Sequence, residues 1–125
     1  MRYANTHEWA KMEEDTNIVT VGLGDYAIKQ LSDIVFLELP AVGAGLKQGS
    51  PFGAIESVKA VFDLNSPVTG RVIEVNSELA DNLDLLQNDP YGQGWMVKVK
   101  IENADEFQNL MTVADYETFV KEGGH

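Results

Sequence analysis

Residues 52–64, Phe-Gly-Ala-Ile-Glu-Ser-Val-Lys-Ala-Val-Phe-Asp-Leu, have the pattern of two short extended segments on either side of a bend. The segments 52–56 and 60–64 are separated by only three residues, Ser57, Val58 and Lys59, and this spacing is typical of a β-hairpin. We therefore predict a hairpin that presents Lys59 near its tip.

Further extended segments surround this hairpin, at the spacing of roughly eight to twelve residues that is typical of small all-β folds. They occupy residues 18–21, 33–39, 71–76 and 95–101, with turns rich in Gly, Pro and Asn between them. The last segment alternates apolar and polar residues, whereas residues 33–39 are predicted to be mostly buried and residues 82–94 to form a longer loop. The pattern predicts a mainly β chain, either a sandwich of two antiparallel sheets or a flattened barrel.

Short helices are predicted near the N-terminal third of the chain and at its C-terminus. Asp25 is the predicted N-cap of the first helix, and Asn103 and Thr112 are the predicted N-caps of two C-terminal helices. Glycines 123 and 124 are predicted to end the last of these. Apolar residues mark the inner faces of the two C-terminal helices: Phe107, Leu110 and Met111 in the first, and Tyr116, Phe119 and Val120 in the second.

Length and charge limit the possible functions. A chain of 125 residues is enough for one compact domain. Nine basic and twenty acidic residues give a net charge of -11, which argues against nucleic acid or an anionic membrane as partner. No apolar run approaches the roughly 18–20 residues that cross a bilayer. The N-terminus has neither a signal-peptide nor a transit-peptide layout, so we expect a soluble chain, made in the cytoplasm or left after removal of an organelle presequence.

The chain offers few residues for catalysis or metal binding. It has no cysteine, which excludes thiol nucleophiles, disulfides and Cys-ligated metal sites in the polypeptide. Its only histidines, His7 and His125, lie near opposite ends of the sequence. No phosphate-binding loop and no G-x-S-x-G nucleophile motif is found. We therefore expect no metal site and no enzyme activity.

The tip of the hairpin has an unusual composition for a tight turn. Two-residue turns favour Asn-Gly or Asp-Gly, and β-branched Val58 is disfavoured wherever φ is positive. A residue that breaks a local rule is a candidate for function, and the Lys59 amine could be acylated there. The local sequence leaves two explanations open: a lysine that is modified, or an ordinary exposed lysine in a type I turn. The second is the more common.

A resemblance along the whole chain favours the functional explanation. Ile55-Glu56-Ser57-Val58-Lys59-Ala60 resembles the lipoylation motif of the H-proteins of the glycine cleavage system. Seven further stretches resemble motifs of that family, in family order: His7-Glu8-Trp9, Val21-Gly22-Leu23-Gly24-Asp25-Tyr26-Ala27, Asp33-Ile34-Val35-Phe36-Leu37-Glu38-Leu39-Pro40, Val42-Gly43, Ser66-Pro67-Val68-Thr69-Gly70, Glu74-Val75-Asn76 and Pro90-Tyr91-Gly92-Gln93-Gly94-Trp95. The lipoyl domains of 2-oxoacid dehydrogenases typically have Glu-Thr-Asp-Lys-Ala at the lysine, and biotin carriers have Met-Lys-Met. Val58 and Ala60 beside Lys59 therefore disfavour biotin, and the Ser57-Val58 pair with the flanking N- and C-terminal elements favours the H-protein over a dehydrogenase module.

The resemblance implies a lipoyl/biotinyl-like fold and one carrier domain over residues 1–125. Lipoate would be attached covalently to Lys59, with Glu56, Ser57, Val58 and Ala60 recognised by a lipoate ligase or octanoyltransferase, followed by lipoyl synthase. The implied function is that of a monomeric carrier. It shuttles an aminomethyl group from glycine decarboxylase, the P-protein, to the aminomethyltransferase, the T-protein, and presents its reduced arm to the L-protein.

The resemblance also implies a surface cleft that shelters the loaded arm. The matching residues are Glu8, Asp63 and Thr6, since carboxylates pair with a cationic amine. The sequence departs from the family at Phe62, where small or hydroxyl residues are common, and at Asn65, where tyrosine is frequent. Two alternatives stay open: a relay that hands lipoyl groups to other acceptor domains, and an interaction module whose Lys59 is never modified.

Overall fold

The chain folds into two antiparallel β-sheets with short helices at their edges. A computed structural model describes residues 1–13, 16–31 and 33–123. The strands are β1 Arg2–Tyr3, β2 Glu8–Met12, β3 Ile18–Leu23, β4 Ile34–Glu38, β5 Gly45–Leu46, β6 Pro51–Ser57, β7 Val61–Asn65, β8 Gly70–Val75, β9 Val97–Ile101 and β10 Met111–Thr112. The helices are α1 Asp25–Gln30, α2 Asp84–Asn88, α3 Ala104–Gln108 and α4 Val113–Lys121, and a 3₁₀ turn covers Ser77–Ala80.

The two sheets form a sandwich and not a closed barrel. The larger sheet has the strand order β10-β1-β2-β3-β9-β8-β5, and the smaller has the order β4-β6-β7. Their inner faces share one core, in which Ile55 and Leu64 of the smaller sheet pack with Val21 and Val99 of the larger. The predicted mainly β fold with two antiparallel sheets is confirmed, and within the described residues the sheets do not close into a barrel.

Strand β9 shows how the sequence pattern produces this core. Val97, Val99 and Ile101 are buried, whereas Lys98 is half-buried and Lys100 is exposed. Successive side chains of a strand point to opposite faces, so the apolar residues at odd positions cover the inner face of the sheet. The predicted alternation is confirmed.

Strand β4 is more exposed than its composition indicated. The segment 33–39 was expected to be mostly buried, yet Val35 and Phe36 are each more than half exposed. A register irregularity between Ile34 and Phe36 interrupts the pairing with β6, and β4 is an end strand of its sheet. The buried position is Leu37, on the face towards the core.

The start of α1 differs from the prediction. Gly24 occupies the N-cap and Asp25 is the first helical residue, so the expected Asp25 cap is wrong. The Asp25 carboxylate instead accepts a hydrogen bond from the Tyr91 hydroxyl at 3.1 Å and pairs with Lys29 at 3.5 Å. A contact with a residue far along the chain thus decides the role of this carboxylate.

The segment expected to be a long loop contains helix. Residues 82–94 include α2, and the 3₁₀ turn lies just before them. Leu79 and Leu86 are buried in the core, and their burial anchors both short elements. The Asn and Asp residues of this segment are typical of loops and led to the prediction of a loop. The conformation is instead fixed by apolar contacts with the core, which the local sequence does not reveal.

The C-terminal helices begin where the sequence predicted. The Asn103 side chain accepts from the Asp105 N–H at 3.0 Å, and the Thr112 hydroxyl accepts from the Asp115 N–H at 3.2 Å. Helix α3 ends at Gln108, so Leu110 and Met111 lie beyond it, and Met111 forms β10 with Thr112. Tyr116, Phe119 and Val120 pack with Tyr3 and Trp9 in a second core cluster, as expected of core residues. The predicted glycine end of α4 includes Gly124, which lies outside the described residues.

None of the helices in the described ranges has the length and apolar character needed to span a bilayer.

Gly53 is required where β6 pairs closely with β4. A Cβ atom built on Gly53 would overlap the backbone carbonyl oxygen of Glu38. We expect Gly53→Ala to lower the free energy of unfolding by about 1–3 kcal/mol, because the strands that support the hairpin must move apart. Chemical denaturation measures this change. Gly45→Ala is the matched control, since a Cβ on Gly45 meets no atom within 4 Å; equal stability of the two variants would contradict the close approach at Gly53.

Candidate functional site

The tip of the β6–β7 hairpin is closed by the side chain of Ser57. The Ser57 N–H donates to the Ala60 carbonyl at 2.9 Å, and the Ser57 Oγ accepts from the N–H groups of Lys59 and Ala60, each at 3.3 Å. The N–H of Val58 donates to the Asp33 carbonyl at 3.0 Å, which ties the tip to the chain before β4. The serine hydroxyl therefore supplies an acceptor for two N–H groups of the bend.

This geometry corrects the expected misfit of Val58. Of the described residues other than glycine, only His7 has a positive φ, so neither Val58 nor Lys59 is strained. The turn rule for positive φ does not apply at this tip, and the unusual residues there are explained by exposure. Val58 and Lys59 both project into solvent.

Lys59 is free to react with a partner. Within residues 1–13, 16–31 and 33–123, its ammonium group has no hydrogen bond and no ion pair. Ala60 beside it is exposed and small, Ser57 is buried by its role in the turn, and Glu56 is half-buried on β6. An enzyme can therefore reach the Lys59 amine over the tip of the hairpin. The assignment of Glu56, Ser57, Val58 and Ala60 to ligase recognition stays a prediction.

A cleft of about 530 Å³ lies beside the same hairpin. It brings together the three residues predicted to shelter the arm, Thr6, Glu8 and Asp63, although they come from distant parts of the sequence. The apolar residues that line it are Leu23, Ala27, Leu31, Ile55, Phe62 and Leu64. The described lining contains two carboxylates and no Lys or Arg. The cleft can therefore accept a ligand with an apolar body and a cationic end.

Glu8 lies at the floor of this cleft, and Asp63 lies at its rim. The Glu8 side chain is only 1% exposed, whereas Asp63 is exposed. One carboxylate oxygen of Glu8 accepts from the Thr6 hydroxyl, and the other accepts from the Asn65 N–H at 2.8 Å. Thr6 therefore orients the Glu8 carboxylate. The role predicted for these three residues is not tested by their position alone.

Burial changes the acidity of Glu8. Removal from water raises the pKa of its carboxyl from 4.5 to about 7, although the hydrogen bonds from Thr6 and Asn65 act in the opposite direction. The carboxyl group is therefore close to half-ionised at neutral pH. A cation entering the cleft would favour the ionised form.

His7 is the residue of this site that the sequence analysis missed. It has a φ of 79°, and its N–H donates to the Ala4 carbonyl at 3.0 Å, while the Ala4 N–H donates to the Glu8 carbonyl at 2.9 Å. These bonds close a four-residue turn that ends at the left-handed residue His7 and connects β1 to β2. The turn places Thr6 and Glu8, on either side of His7, at the cleft.

The ring of His7 holds this turn against the C-terminal helix. Its Nδ1 lies 2.7 Å from the Tyr116 hydroxyl, and its ring centre lies 4.9 Å from that of Tyr26. Left-handed φ is uncommon for a residue other than Gly, Asn or Asp, and the contact with α4 offsets its cost. The local sequence contains no signal for this contact, which joins residues 109 positions apart.

The chain is similar to known proteins over nearly its full length. A family model described as Glycine cleavage H-protein matches residues 1–123. A glycine cleavage system H protein of Carboxydothermus hydrogenoformans is 48% identical over 99% of this chain and 94% of its own length. The mitochondrial glycine cleavage system H protein 2 of Arabidopsis thaliana is 47% identical over 98% of this chain and 77% of its own length.

A solved structure shows the same fold. The crystal structure of a glycine cleavage system H protein from Mycobacterium marinum superposes with a TM-score of 0.80 at 32% identity, covering 97% of this chain and 94% of that chain. Sequence and structure therefore point to the same family.

Proposed function

The chain belongs to the glycine cleavage H-protein family, and we propose that it carries out its work through a lipoyl group attached to Lys59. It is a carrier component of the glycine cleavage system and not an enzyme of its own. The observation that supports Lys59 as the attachment site is its position: an exposed amine at a hairpin tip, with no partner in the described part of the chain.

The residues present fit such a group. Acylation removes the charge of the Lys59 ammonium. No ion pair is lost, because Lys59 forms none in the described part of the chain. When bound, a lipoyl group supplies a disulfide that can be opened, loaded and closed again. Because the polypeptide contains no cysteine, the sulfurs of the arm would be the only thiols of the carrier.

The cleft would receive the loaded end of the arm. Glu8 would pair with the cationic amine of the cargo, Thr6 would hold the Glu8 carboxylate in place, and Asp63 would add negative charge at the rim. Water attacks such a cargo readily, so a cleft that excludes water prolongs its lifetime. The long arm lets several active sites share one carrier at high effective concentration.

We place residues 1–125 in one carrier domain that acts as a monomer. Its partners would be the P-, T- and L-proteins of the system, together with a lipoate ligase or octanoyltransferase and lipoyl synthase that act on the hairpin tip. The net charge of -11 would steer encounters with basic surfaces on these enzymes. The relatives include bacterial and mitochondrial proteins, so we assign the chain to the bacterial cytoplasm or the mitochondrial matrix.

A reconstituted exchange assay tests the carrier function. We expect the lipoylated chain, mixed with a P-protein of the glycine cleavage system, to support glycine-dependent exchange of labelled carbon dioxide, at rates that rise with carrier concentration. The unlipoylated chain is the control and should give only the background of P-protein alone. A lipoylated chain that gives no more than this background would contradict the proposal and favour a relay of lipoyl groups to other acceptors.

A further inference from the structure

Phe62 lies between the attachment lysine and the buried acid. It follows Lys59 by three residues on the hairpin and precedes Asn65, whose N–H donates to Glu8, by another three. At about 3.3 Å per residue along β7, Phe62 is roughly 10 Å from Asn65, and only Ala60 and Val61 separate it from Lys59 in sequence. An arm laid from Lys59 along β7 towards Glu8 would therefore pass over Phe62.

The Phe62 ring faces the cleft. Phe62 is opposite Ile55 in the β6–β7 pairing, and both residues line the cleft together with Leu64. The side chain of Phe62 is 48% exposed, so half of a large apolar ring remains uncovered at the mouth of an apolar cleft. Val61, the preceding residue, is 61% exposed and is not among the residues that line the cleft.

We propose that Phe62 is a positioning residue for the lipoyl arm, which it holds in the cleft by apolar contact even when no cargo amine is present. This inference rests on the proposed attachment at Lys59. The carboxylates of Glu8 and Asp63 attract a cationic amine but offer little to an uncharged hydrocarbon arm. A half-exposed phenyl ring, in contrast, gains free energy from any apolar group that covers it.

The effect of this contact is independent of charge, and it therefore distinguishes Phe62 from the acidic residues. The arm without cargo would divide its time between the cleft and solvent, and Phe62 would increase the fraction in the cleft. Covering the remaining half of one ring gives only part of the gain of full burial, so we expect Phe62 to raise the ratio of arm in the cleft to arm in solvent by about threefold to tenfold.

Protection of the arm's thiols measures this fraction directly. The chain has no cysteine, so a thiol-specific alkylating reagent such as iodoacetamide reports only on the reduced arm. The alkylation rate follows the fraction of arm in solvent, so we expect the reduced, lipoylated Phe62→Ser variant to be alkylated faster than the unsubstituted protein, by up to about threefold to tenfold when the arm is mostly in the cleft, with the rate followed by intact mass. Phe62→Leu, which keeps an apolar side chain, should restore most of the protection.

Val61→Ser is the matched control, because it removes an exposed apolar side chain from the same strand outside the cleft lining. It should be alkylated at the rate of the unsubstituted protein. Equal rates for Phe62→Ser, Val61→Ser and the unsubstituted protein would overturn the role of Phe62. Intact mass before reduction separates this result from a failure of the proposed function: a protein that gains no lipoyl group under active ligase refutes both, whereas a lipoylated protein with equal rates refutes only the role of Phe62.

Discussion

We expect Lys59→Arg to abolish incorporation of the lipoyl group and, with it, all glycine-dependent carbon dioxide exchange. The arginine keeps the positive charge and roughly the length of the side chain, but its guanidinium group stays protonated at neutral pH and cannot act as the amine nucleophile. The fold should be unaffected, because Lys59 is exposed and its side chain has no partner in the described part of the chain. Intact mass after incubation with lipoate, ATP and a lipoate ligase gives the result.

The control for this prediction is Lys47→Arg. Lys47 is also an exposed lysine, but it lies in the turn between β5 and β6. That variant should gain one lipoyl group, like the unsubstituted chain. Lipoylation of the Lys59→Arg protein to the same extent would refute Lys59 as the site, and peptide mapping would then identify the lysine that is modified.

The hairpin could be predicted because its determinants are local. Two extended segments separated by three residues are recognisable without knowledge of the rest of the chain, and β6 and β7 lie close to the predicted positions. The N-caps at Asn103 and Thr112 were predicted for the same reason, since each side chain bonds to a backbone group only two or three residues away.

The cleft could not be derived from local pattern. Its central contact joins Glu8 to the backbone of Asn65, 57 residues further along the chain, and no periodicity in either segment predicts their meeting. The resemblance to a known family supplied Thr6, Glu8 and Asp63 as candidates, whereas burial of Glu8 and the turn at His7 emerged only from the fold. Contacts between distant segments decide the burial of Glu8 and the left-handed conformation of His7, against the local preference of each residue type.

The misassigned segments have the same physical cause. Asp25 has the composition of an N-cap, but the Tyr91 hydroxyl, 66 residues away in sequence, binds its carboxylate. Residues 33–39 have the apolar content of a buried strand, but β4 lies at the end of its sheet, where Phe36 is left exposed. Composition alone does not reveal which strand ends a sheet.

Glu8→Gln should stabilise the fold at neutral pH, although replacing a buried, hydrogen-bonded side chain usually lowers the free energy of unfolding. The pKa of Glu8 is about 7 in the folded chain and close to 4.5 in the unfolded chain. Its contribution to stability is therefore fully present below pH 4.5 and is lost as the pH rises through about 7. Glutamine never ionises, so the variant should gain on the order of 2 kcal/mol relative to the unsubstituted protein between pH 5 and pH 7.5.

Chemical denaturation at the two pH values gives this difference. Glutamine can accept from the Asn65 N–H and donate to the Thr6 hydroxyl, so both hydrogen bonds of Glu8 have a counterpart in the variant. Glu38→Gln is the control, because Glu38 is an exposed glutamate on β4. The free energy of unfolding of that variant should equal that of the unsubstituted protein at both pH values. A relative stability of Glu8→Gln that does not rise with pH would refute the raised pKa of Glu8.

The same substitution should impair the carrier while it stabilises the fold. A hydrogen bond to a charged group contributes about 1.5–3 kcal/mol, so the loaded protein with Glu8→Gln should lose its cargo about ten to a hundred times faster at pH 7.5. Acidification should narrow this ratio only once Glu8 is protonated in the loaded protein, where the cationic amine holds the pKa of Glu8 below its value of about 7 in the empty cleft, while His7, Tyr26 and Asp63 line the cleft in both proteins. A residue that served only the fold could not produce opposite changes in stability and cargo retention. An ionised carboxylate buried without a counter-ion produces both, since its cost in the empty cleft is offset when a cationic amine arrives.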